Sequence, residues 1–305
     1  MEKKYSLSAV CFGEVLWDIF PTHKKIGGAP LNVSLRMNSI GVNTTMISRI
    51  GDDDNGKDIL SFLNDQAVAT DLIQITGEYK TGAVQVMINE KGNASYDILY
   101  PSAWDKIIET EMMDKAVAEA DAFVFGSLAC RDEVTRATLN KLLEKANYKI
   151  FDVNLRAPYY TIDVLNELML KADFIKLNDE ELREISRELG STYNSFEQNI
   201  KFLAEKTNTK QVCVTKGEFG AVLYSNDKFY YNSGYFIKVV DTVGAGDSFL
   251  ASLIVKLLRG KSPQKALNYA CAIGALVAGH EGANPQISEK VIRDYMKIEK
   301  KYNNI

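Results

Sequence analysis

The sequence contains few of the residues that build disulfide frameworks, zinc sites or histidine-dependent active sites. Among its 305 residues there are only two histidines, His23 and His280, and neither lies near a nucleophile motif. The four cysteines form no C-x-x-C pair, which predicts a reduced chain without disulfides or a zinc site. If the chemistry of this protein needs a general base, a carboxylate is therefore expected to serve.

Long hydrophobic runs and a large excess of one charge are absent as well. No stretch approaches the ~18 apolar residues of a membrane span. The N-terminal apolar run is short and ends at Glu14 and Asp18, unlike that of a signal peptide. With 36 basic and 40 acidic residues, the net charge of -4 gives no reason to expect nucleic acid or an anionic membrane as a partner. We expect a cytoplasmic protein that acts on small molecules.

The chain does have a regular alternation of short apolar segments and helical patterns. Strands are predicted at 8–13, 44–51, 121–127, 148–154, 173–178, 211–217 and 220–225, and helices at 30–40, 132–146, 180–189 and 196–206. The part after Asp247 is expected to be mostly helical. This alternation predicts an α/β protein whose parallel sheet is covered on both faces and binds ligands at the carboxyl ends of its strands.

One region departs from this alternation. Residues 78–101 are predicted to form two strands around a turn at 90–93, which is compatible with a flap over a site or with an ordinary edge hairpin. The chain shows no repeats or long linkers. We therefore expect residues 1–305 to form a single domain with a small β appendage.

The stretch DTVGAGDSF, residues 241–249, carries the clearest chemical signal. Apolar residues recur at helical spacing from Phe249 onward, so a helix is expected to begin near Gly246 and Asp247 and to end at Gly260. The first N–H groups of a helix lack acceptors and carry the positive end of its dipole. Glycines at this place leave those groups open to a phosphate.

An acid beside such N–H groups suits phosphoryl transfer to an alcohol. Asp247 would take the hydroxyl proton, while Gly244, Ala245 and Gly246 would form an anion hole for the phosphoryl group. The same residues are also compatible with a tight turn followed by a helix-capping acid. The stretch contains neither a P-loop nor a dinucleotide-binding fingerprint.

DTVGAGDSF resembles the C-terminal signature of the ribokinase-type (PfkB) carbohydrate kinases. GEVLWDIFP at 13–21 and GGAPLNVSLRMNSIG at 27–41 resemble the companion signature, and the similarity extends over nearly the whole chain. GGAPLN and DVNLR are most similar to the fructokinases. The resemblance implies a ribokinase-like three-layer α/β/α fold with a mostly parallel central sheet. It also implies a small β-sheet lid from about 10–30 and 78–104.

The resemblance also implies a sugar site. Asp18, Gly28 and Asn32 are expected to hydrogen-bond sugar hydroxyls, and Arg156 of DVNLR is expected to reach the sugar. If the strand continued through DVNLR, alternation would place Asp152, Asn154 and Arg156 on one side. From the residues alone, GGAPLN is equally compatible with a simple helix entry, and DVNLR with a polar loop entry.

The resemblance further implies contacts with ATP and Mg²⁺ at two other segments. Asn178 and Glu181 of NDEE match an N-x-x-E motif in which the acid organises Mg²⁺ and phosphates through water, and they also match a capping box. Thr215, Gly217 and Gly220 of TKGEFG are expected along the nucleotide, although the glycines alone indicate only a turn.

The resemblance also implies a candidate K⁺ site at a third segment, EGANPQ at 281–286. Asp241 and the carbonyls of Val243 and Gly282 are its expected ligands, with an ordinary loop as the alternative. Many relatives carry Asn near the adenine where this chain has Cys271, so an apolar base contact is expected there.

Together these features predict an ATP- and Mg²⁺-dependent sugar kinase, with D-fructose as the favoured acceptor. The alternatives are a kinase for 2-keto-3-deoxygluconate, ribose or a nucleoside, and a sugar or nucleotide sensor of the same fold without turnover. A homodimer through the lid is a further expectation, because exposed sheet edges invite pairing.

Overall fold

The computed structural model describes residues 6–88 and 94–302. The strands are β1 Ser8–Phe12, β2 Leu16–Ile19, β3 Lys24–Gly27, β4 Asn43–Gly51, β5 Ile73–Thr76, β6 Gly82–Ile88, β7 Ala94–Ile98, β8 Ala122–Gly126, β9 Lys149–Asp152, β10 Phe174–Asn178, β11 Gln211–Thr215, β12 Ala221–Ser225 and β13 Lys228–Asn232. The helices are α1 Ala29–Ser39, α2 Asp54–Asp65, α3 Glu111–Glu119, α4 Glu133–Leu143, α5 Ile162–Lys171, α6 Asp179–Glu188, α7 Phe196–Thr207, α8 Ala245–Leu258, α9 Pro263–Ala278 and α10 Glu289–Tyr302.

A nine-stranded sheet forms the centre of the molecule, in the order β13-β12-β11-β10-β9-β8-β1-β4-β5. The strands from β11 to β5 run parallel, whereas β12 pairs antiparallel with β11, and β13 pairs antiparallel with β12. The predicted parallel sheet is therefore confirmed. The sequence patterns did not indicate β5 and β13, because these short edge strands are partly exposed and lack a clear apolar alternation.

Alternating side chains of the central sheet build two separate cores. In β1, Val10 and Phe12 enter one core with apolar residues of α3 to α7, whereas Ala9 and Cys11 enter the other with those of α1, α2, α8 and α9. A sheet that is buried on both faces requires helices on both sides. The predicted three-layer, ribokinase-like α/β/α fold is confirmed. No helix in the described part of the chain is long and apolar enough to cross a membrane.

The helix that follows β3 begins where the sequence pattern places it. Pro30 lies in the first turn of α1, where its missing N–H costs nothing. Gly28 precedes the helix with φ of 119°, and a Cβ at this position would lie 2.3 Å from the carbonyl oxygen of Glu14. The backbone after β1 and the start of α1 can approach this closely only because residue 28 is glycine.

A second, smaller sheet has the order β3-β2-β6-β7. Its β6 and β7 pair antiparallel, as predicted for the hairpin within residues 78–101. The predicted turn at 90–93 lies outside the described residues. Strand β2 joins the hairpin by parallel pairing with β6, so the segments before α1 and after β5 meet in one sheet.

A buried ion pair connects this small sheet to the central one. Arg131, which follows β8, donates to Asp105 through Nε at 2.7 Å and through Nη2 at 2.8 Å. Its Nη2 also donates to the carbonyl of Leu99, just after β7, at 2.7 Å, and its guanidinium lies 4.1 Å from the Trp104 ring. The side chains of Arg131 and Asp105 are almost fully buried.

We expect Asp105→Ala to lower the free energy of unfolding by about 3–5 kcal/mol, because it leaves the Arg131 charge buried without its partner. Urea denaturation followed by tryptophan fluorescence measures this change. Lys57→Ala, which removes an exposed ion pair with Asp54, is the matched control and should change the value by no more than about 0.5 kcal/mol. Equal effects of the two variants would contradict the importance of the buried pair.

Candidate active site

The N-terminus of α8 lies at the carboxyl edge of the central sheet. The helix begins at Ala245, one or two residues before the predicted start, and Gly260 follows its end with φ of 70°, as predicted. Gly244 caps the helix with φ of 73°, and a Cβ there would lie 2.4 Å from the Cβ of Ala283. Glycine is therefore required both by the backbone conformation and by the approach of the 281–286 loop.

The first N–H groups of α8 are only partly free. Ala245 donates its N–H to the carbonyl of Thr242 at 3.2 Å. Within the described part of the chain, the N–H groups of Gly244 and Gly246 have no acceptor. Two of the three donors expected for an anion hole are therefore available. The N–H of Ala245 could bind an anion only after its hydrogen bond to Thr242 breaks.

Asp247, in the first turn of α8, is hydrogen-bonded to Asn32 of α1, which the sequence analysis named as an expected sugar contact. Its Oδ2 accepts a hydrogen bond from Asn32 Nδ2 at 2.8 Å, and Asn32 Oδ1 accepts one from Asn284 Nδ2 at 2.8 Å. Burial raises the pKa of Asp247 to about 6, and the nearby Asp152 contributes to the rise. A carboxylate with this pKa is mostly ionised at neutral pH and can accept a proton.

A buried ion pair lies beneath this turn, and the sequence analysis did not predict the pairing of its two residues. Lys176 Nζ contacts Asp152 Oδ1 at 3.0 Å and Oδ2 at 3.3 Å, and it lies 3.3 Å from the position that a Cβ on Gly246 would take. Burial lowers the pKa of Lys176, but Asp152, Glu181 and Asp247 outweigh it and raise the pKa above its ordinary value. A charged ammonium group therefore stays under the free N–H groups.

The sequence did contain a signal for this pair. DFIKL places one lysine inside an otherwise apolar strand, and a buried charge requires a partner. Alternation directs Lys176 and Asp152 to the face that carries α8, because Phe174 and Ile150, two residues earlier on each strand, enter the core on that face.

Two further acidic groups, Asp18 and Glu14, interact with the charge of Arg156, as Asp247 does. Burial raises the pKa of Asp18 to about 6 and that of Glu14 to about 7, and the positive charge of Arg156 opposes both shifts. Arg156 also lowers the pKa of Asp247. Sequence reasoning treated Glu14 only as the end of an apolar run, yet its carboxyl is buried and its Oε2 has no partner among the described residues.

The DVNLR segment does not continue as a strand. Strand β9 ends at Asp152, and Asn154 has φ of 39° in the left-handed region. The expectation that Asp152, Asn154 and Arg156 would share one strand face is therefore wrong, because the chain turns after Val153. Asp152 points to Lys176, while Arg156 lies on the exposed loop with Nη1 donating to the carbonyl of Leu155 at 2.9 Å.

The NDEE segment forms the predicted capping box at the start of α6. Asn178 Oδ1 accepts from the N–H of Glu181, and Glu181 Oε2 accepts from the N–H of Asn178, both at 2.8 Å. Glu181 Oε1 accepts from the N–H of Leu155 at 2.8 Å. Because backbone donors hold both of its carboxylate oxygens, Glu181 fits a contact to Mg²⁺ through water better than direct coordination.

The TKGEFG turn lies beside this capping box. Thr215 and Asn178 are register partners at the carboxyl ends of β11 and β10. The N–H of Lys216 donates to the carbonyl of Gly220 at 2.8 Å, and Gly217 and Gly220 both have positive φ. Thr215, Gly217 and Gly220 therefore form one compact turn next to Asn178.

The residues of the candidate K⁺ site also come together. Asp241 Oδ1 accepts from the N–H of Val243 at 3.0 Å, and Oδ2 accepts from the N–H of Gly282 at 3.1 Å. This carboxylate ties the segment before α8 to the 281–286 loop. The donor set of one carboxylate and backbone carbonyls is chemically suited to a hard cation.

The two sheets, their order and the flanking helices define a ribokinase-like α/β protein. A model of the pfkB family of carbohydrate kinases matches residues 3–290, and the chain belongs to that family. Fructokinase-2 of Solanum habrochaites is 28% identical over 308 residues, with 91% of this chain and 92% of the relative covered.

Solved structures agree on the fold. The chain superposes on a fructokinase from Xylella fastidiosa with bound ATP at a TM-score of 0.86 and 21% identity, covering 96% of this chain and 99% of the other. It superposes on 2-dehydro-3-deoxygluconokinase from Thermotoga maritima at a TM-score of 0.82 and 23% identity, covering 96% of this chain and 99% of the other. The protein is a carbohydrate kinase, a phosphotransferase.

We expect Glu14→Gln to become more stable relative to the wild type as the pH rises. The pKa of Glu14 is about 7 in the folded protein against an ordinary value of 4.5, so the folded protein binds this proton more tightly than the unfolded chain does. The stability of the wild type therefore falls as the pH rises from 4.5 through 7. The difference should grow by up to about 3 kcal/mol between pH 4.5 and 8.

Urea denaturation of both proteins at pH 5 and pH 8 measures this difference. Glu144→Gln, at an exposed position, is the control and should differ from the wild type equally at both pH values. A pH-independent difference for Glu14→Gln would show that the Glu14 carboxyl ionises as freely as it does in the unfolded chain.

Proposed function

We propose that this carbohydrate kinase transfers the γ-phosphoryl group of ATP to D-fructose and forms fructose 6-phosphate and ADP. The observation that carries the proposal is the 2.8 Å hydrogen bond from Asn32 to Asp247. It joins the acid at the start of α8 to the first turn of α1 in the GGAPLN segment, so a sugar held by that segment would lie next to a base.

The chemistry follows from the surroundings of Asp247. The carboxylate would accept the proton of the attacking hydroxyl, while the N–H groups of Gly244, Ala245 and Gly246 hold the transferring phosphoryl group. Lys176 adds a fixed positive charge directly below Gly246. Positively charged and N–H groups that are already in place stabilise the charge of the transferring group without reorganisation.

ATP would lie along the neighbouring strand ends, in contact with Asn178, Thr215, Gly217 and Gly220. Mg²⁺ would neutralise the nucleotide phosphates, with Glu181 holding its water shell. A K⁺ ion bound by Asp241 and the carbonyls of Val243 and Gly282 would fix the segment that leads into the anion hole.

The sugar would be held by Asp18, Gly28, Asn32 and Arg156. Similarity of GGAPLN and DVNLR to the fructokinases, together with the Solanum habrochaites relative, supports fructose as the acceptor. We propose that residues 1–305 form one domain, with the small sheet as a lid over the sugar. Lys25 of β3 contacts Glu281 at 3.0 Å, which supports closure of that sheet across the 281–286 loop. Closure would exclude water as a competing acceptor.

ADP release with ATP and Mg²⁺ across a panel of acceptors tests the substrate. The panel contains fructose, ribose, 2-keto-3-deoxygluconate, glucose and adenosine, each with and without K⁺. A clear preference for fructose supports the proposal. Preference for another acceptor keeps the phosphoryl-transfer chemistry and rejects fructose, whereas no turnover by folded protein with any acceptor would favour a sensor.

We expect Asp247→Asn to lower kcat of sugar-dependent ADP formation by about 10²–10⁴-fold, because the amide keeps the shape of the side chain but cannot accept the proton. Sugar binding, measured by calorimetry, should persist. Asp294→Asn, on the exposed face of α10, is the control and should keep wild-type kcat. Turnover of Asp247→Asn close to that of the wild type would reject Asp247 as the base.

A further inference from the structure

Asn284 in the 281–286 loop makes a contact that the proposed reaction has not yet used. Its Nδ2 donates to Asn32 Oδ1 at 2.8 Å, and Asn32 Nδ2 donates to Asp247 Oδ2 at 2.8 Å. A side-chain amide has one donating and one accepting end. Because Asn284 occupies the accepting end of Asn32, only the donating end can face Asp247.

We propose that Asn284, held in place by Arg36, is a positioning residue that fixes the Asn32 amide as a donor to the catalytic base. The inference rests on the proposed function in one respect only, namely that Asp247 acts as the base. The arrangement itself is a property of the folded chain and can be tested without substrate.

Arg36 explains how Asn284 keeps its place. The guanidinium is buried, and it donates through Nη2 to the carbonyl of Pro285 at 3.0 Å and through Nε to Ser248 Oγ at 3.1 Å. Arg36 on α1 is thereby connected to the residue after Asn284 and to the residue after Asp247. In the described part of the chain no carboxylate lies within ion-pair distance of this guanidinium.

The Asn284 amide is only half satisfied in the folded protein. Asn284 Oδ1 is buried and has no hydrogen-bond partner among the described residues. A buried acceptor without a donor costs free energy. Removal of the Asn284 amide should therefore affect the stability of the protein little, while it frees the Asn32 amide to turn its oxygen toward the protonated form of Asp247.

Other charged groups also act on Asp247 and must be considered in any titration. Asp152 on β9 raises its pKa, and Lys176 on β10 and Arg156 after β9 lower it. Glu14, after β1, interacts with Asp247 by charge repulsion. Among the contributions that lower the pKa, the hydrogen bond from Asn32 is the one that depends on Asn284.

The first arm of the test follows the Asp247 carboxyl by ¹³C NMR in protein labelled at aspartate, with Asp247→Asn to assign the signal. In Asn284→Ala, we expect the titration midpoint to rise by about one pH unit from its wild-type value, since a weakened charge-assisted hydrogen bond favours the protonated acid. Asn284→Asp should raise it further, because the introduced carboxylate, once ionised, would attract the amide nitrogen of Asn32 away from Asp247.

Gln286→Ala is the matched control in the same loop, because Gln286 is exposed, and its midpoint should equal that of the wild type. Arg36→Lys, which keeps the positive charge but loses one of the two contacts, should give a shift smaller than that of Asn284→Ala. An unchanged midpoint in folded Asn284→Ala would overturn the proposal, whatever the activity of the protein.

The second arm measures kcat against pH with the best acceptor. If the midpoint rises from about 6 to 7, kcat of Asn284→Ala should fall about fivefold at pH 6 and return to near the wild-type value at pH 8. A uniform loss at all pH values would indicate a structural role and contradict the inference. Absence of turnover in the wild type would reject the proposed function, and the NMR arm would still decide the role of Asn284.

Discussion

The candidate site depends on the close approach of the first turn of α8 to the end of the central sheet. Because Gly246 has no side chain, the backbone of this turn can lie close to the Lys176 ammonium group. Lys176 is charged because Asp152 lies beside it. The sheet thus places a buried positive charge under helix N–H groups that already favour anions. A larger residue at position 246 would separate these two sources of positive potential.

The same turn must also hold a carboxylate, and this creates an electrostatic conflict. Glu14, Asp18, Asp152, Glu181 and Asp247 supply more negative charge around the site than Lys176 and Arg156 can balance. Burial is the main cause of the raised pKa values of Glu14, Asp18 and Asp247, and repulsion between carboxylates adds to the rise for Glu14 and Asp247. A general base benefits from such a shift, because its proton affinity increases while it remains largely ionised at neutral pH.

One loop, residues 281–286, contacts parts of the site that are distant from it in the sequence. The 281–286 loop packs against Gly244, reaches Asn32 through Asn284, binds Asp241 through Gly282 and contacts β3 through Lys25. One loop therefore touches the helix cap, the sugar-site helix, the candidate K⁺ site and the small sheet. These contacts connect the small sheet to Asp247 through Glu281, Asn284 and Asn32.

The sequence determined the elements whose signals are local. Apolar alternation gave the buried strands, Pro30 and Gly260 marked helix ends, and the spacing of Asn178 and Glu181 predicted their capping box. Similarity of short motifs to one family indicated the family, and with it the carbohydrate-kinase class. Only the tertiary structure showed that Lys176 lies under Gly246, that Glu14 is buried and that Asn284 donates to Asn32. These contacts join residues up to 252 positions apart, and no periodicity along the chain records which strand ends and loops will meet.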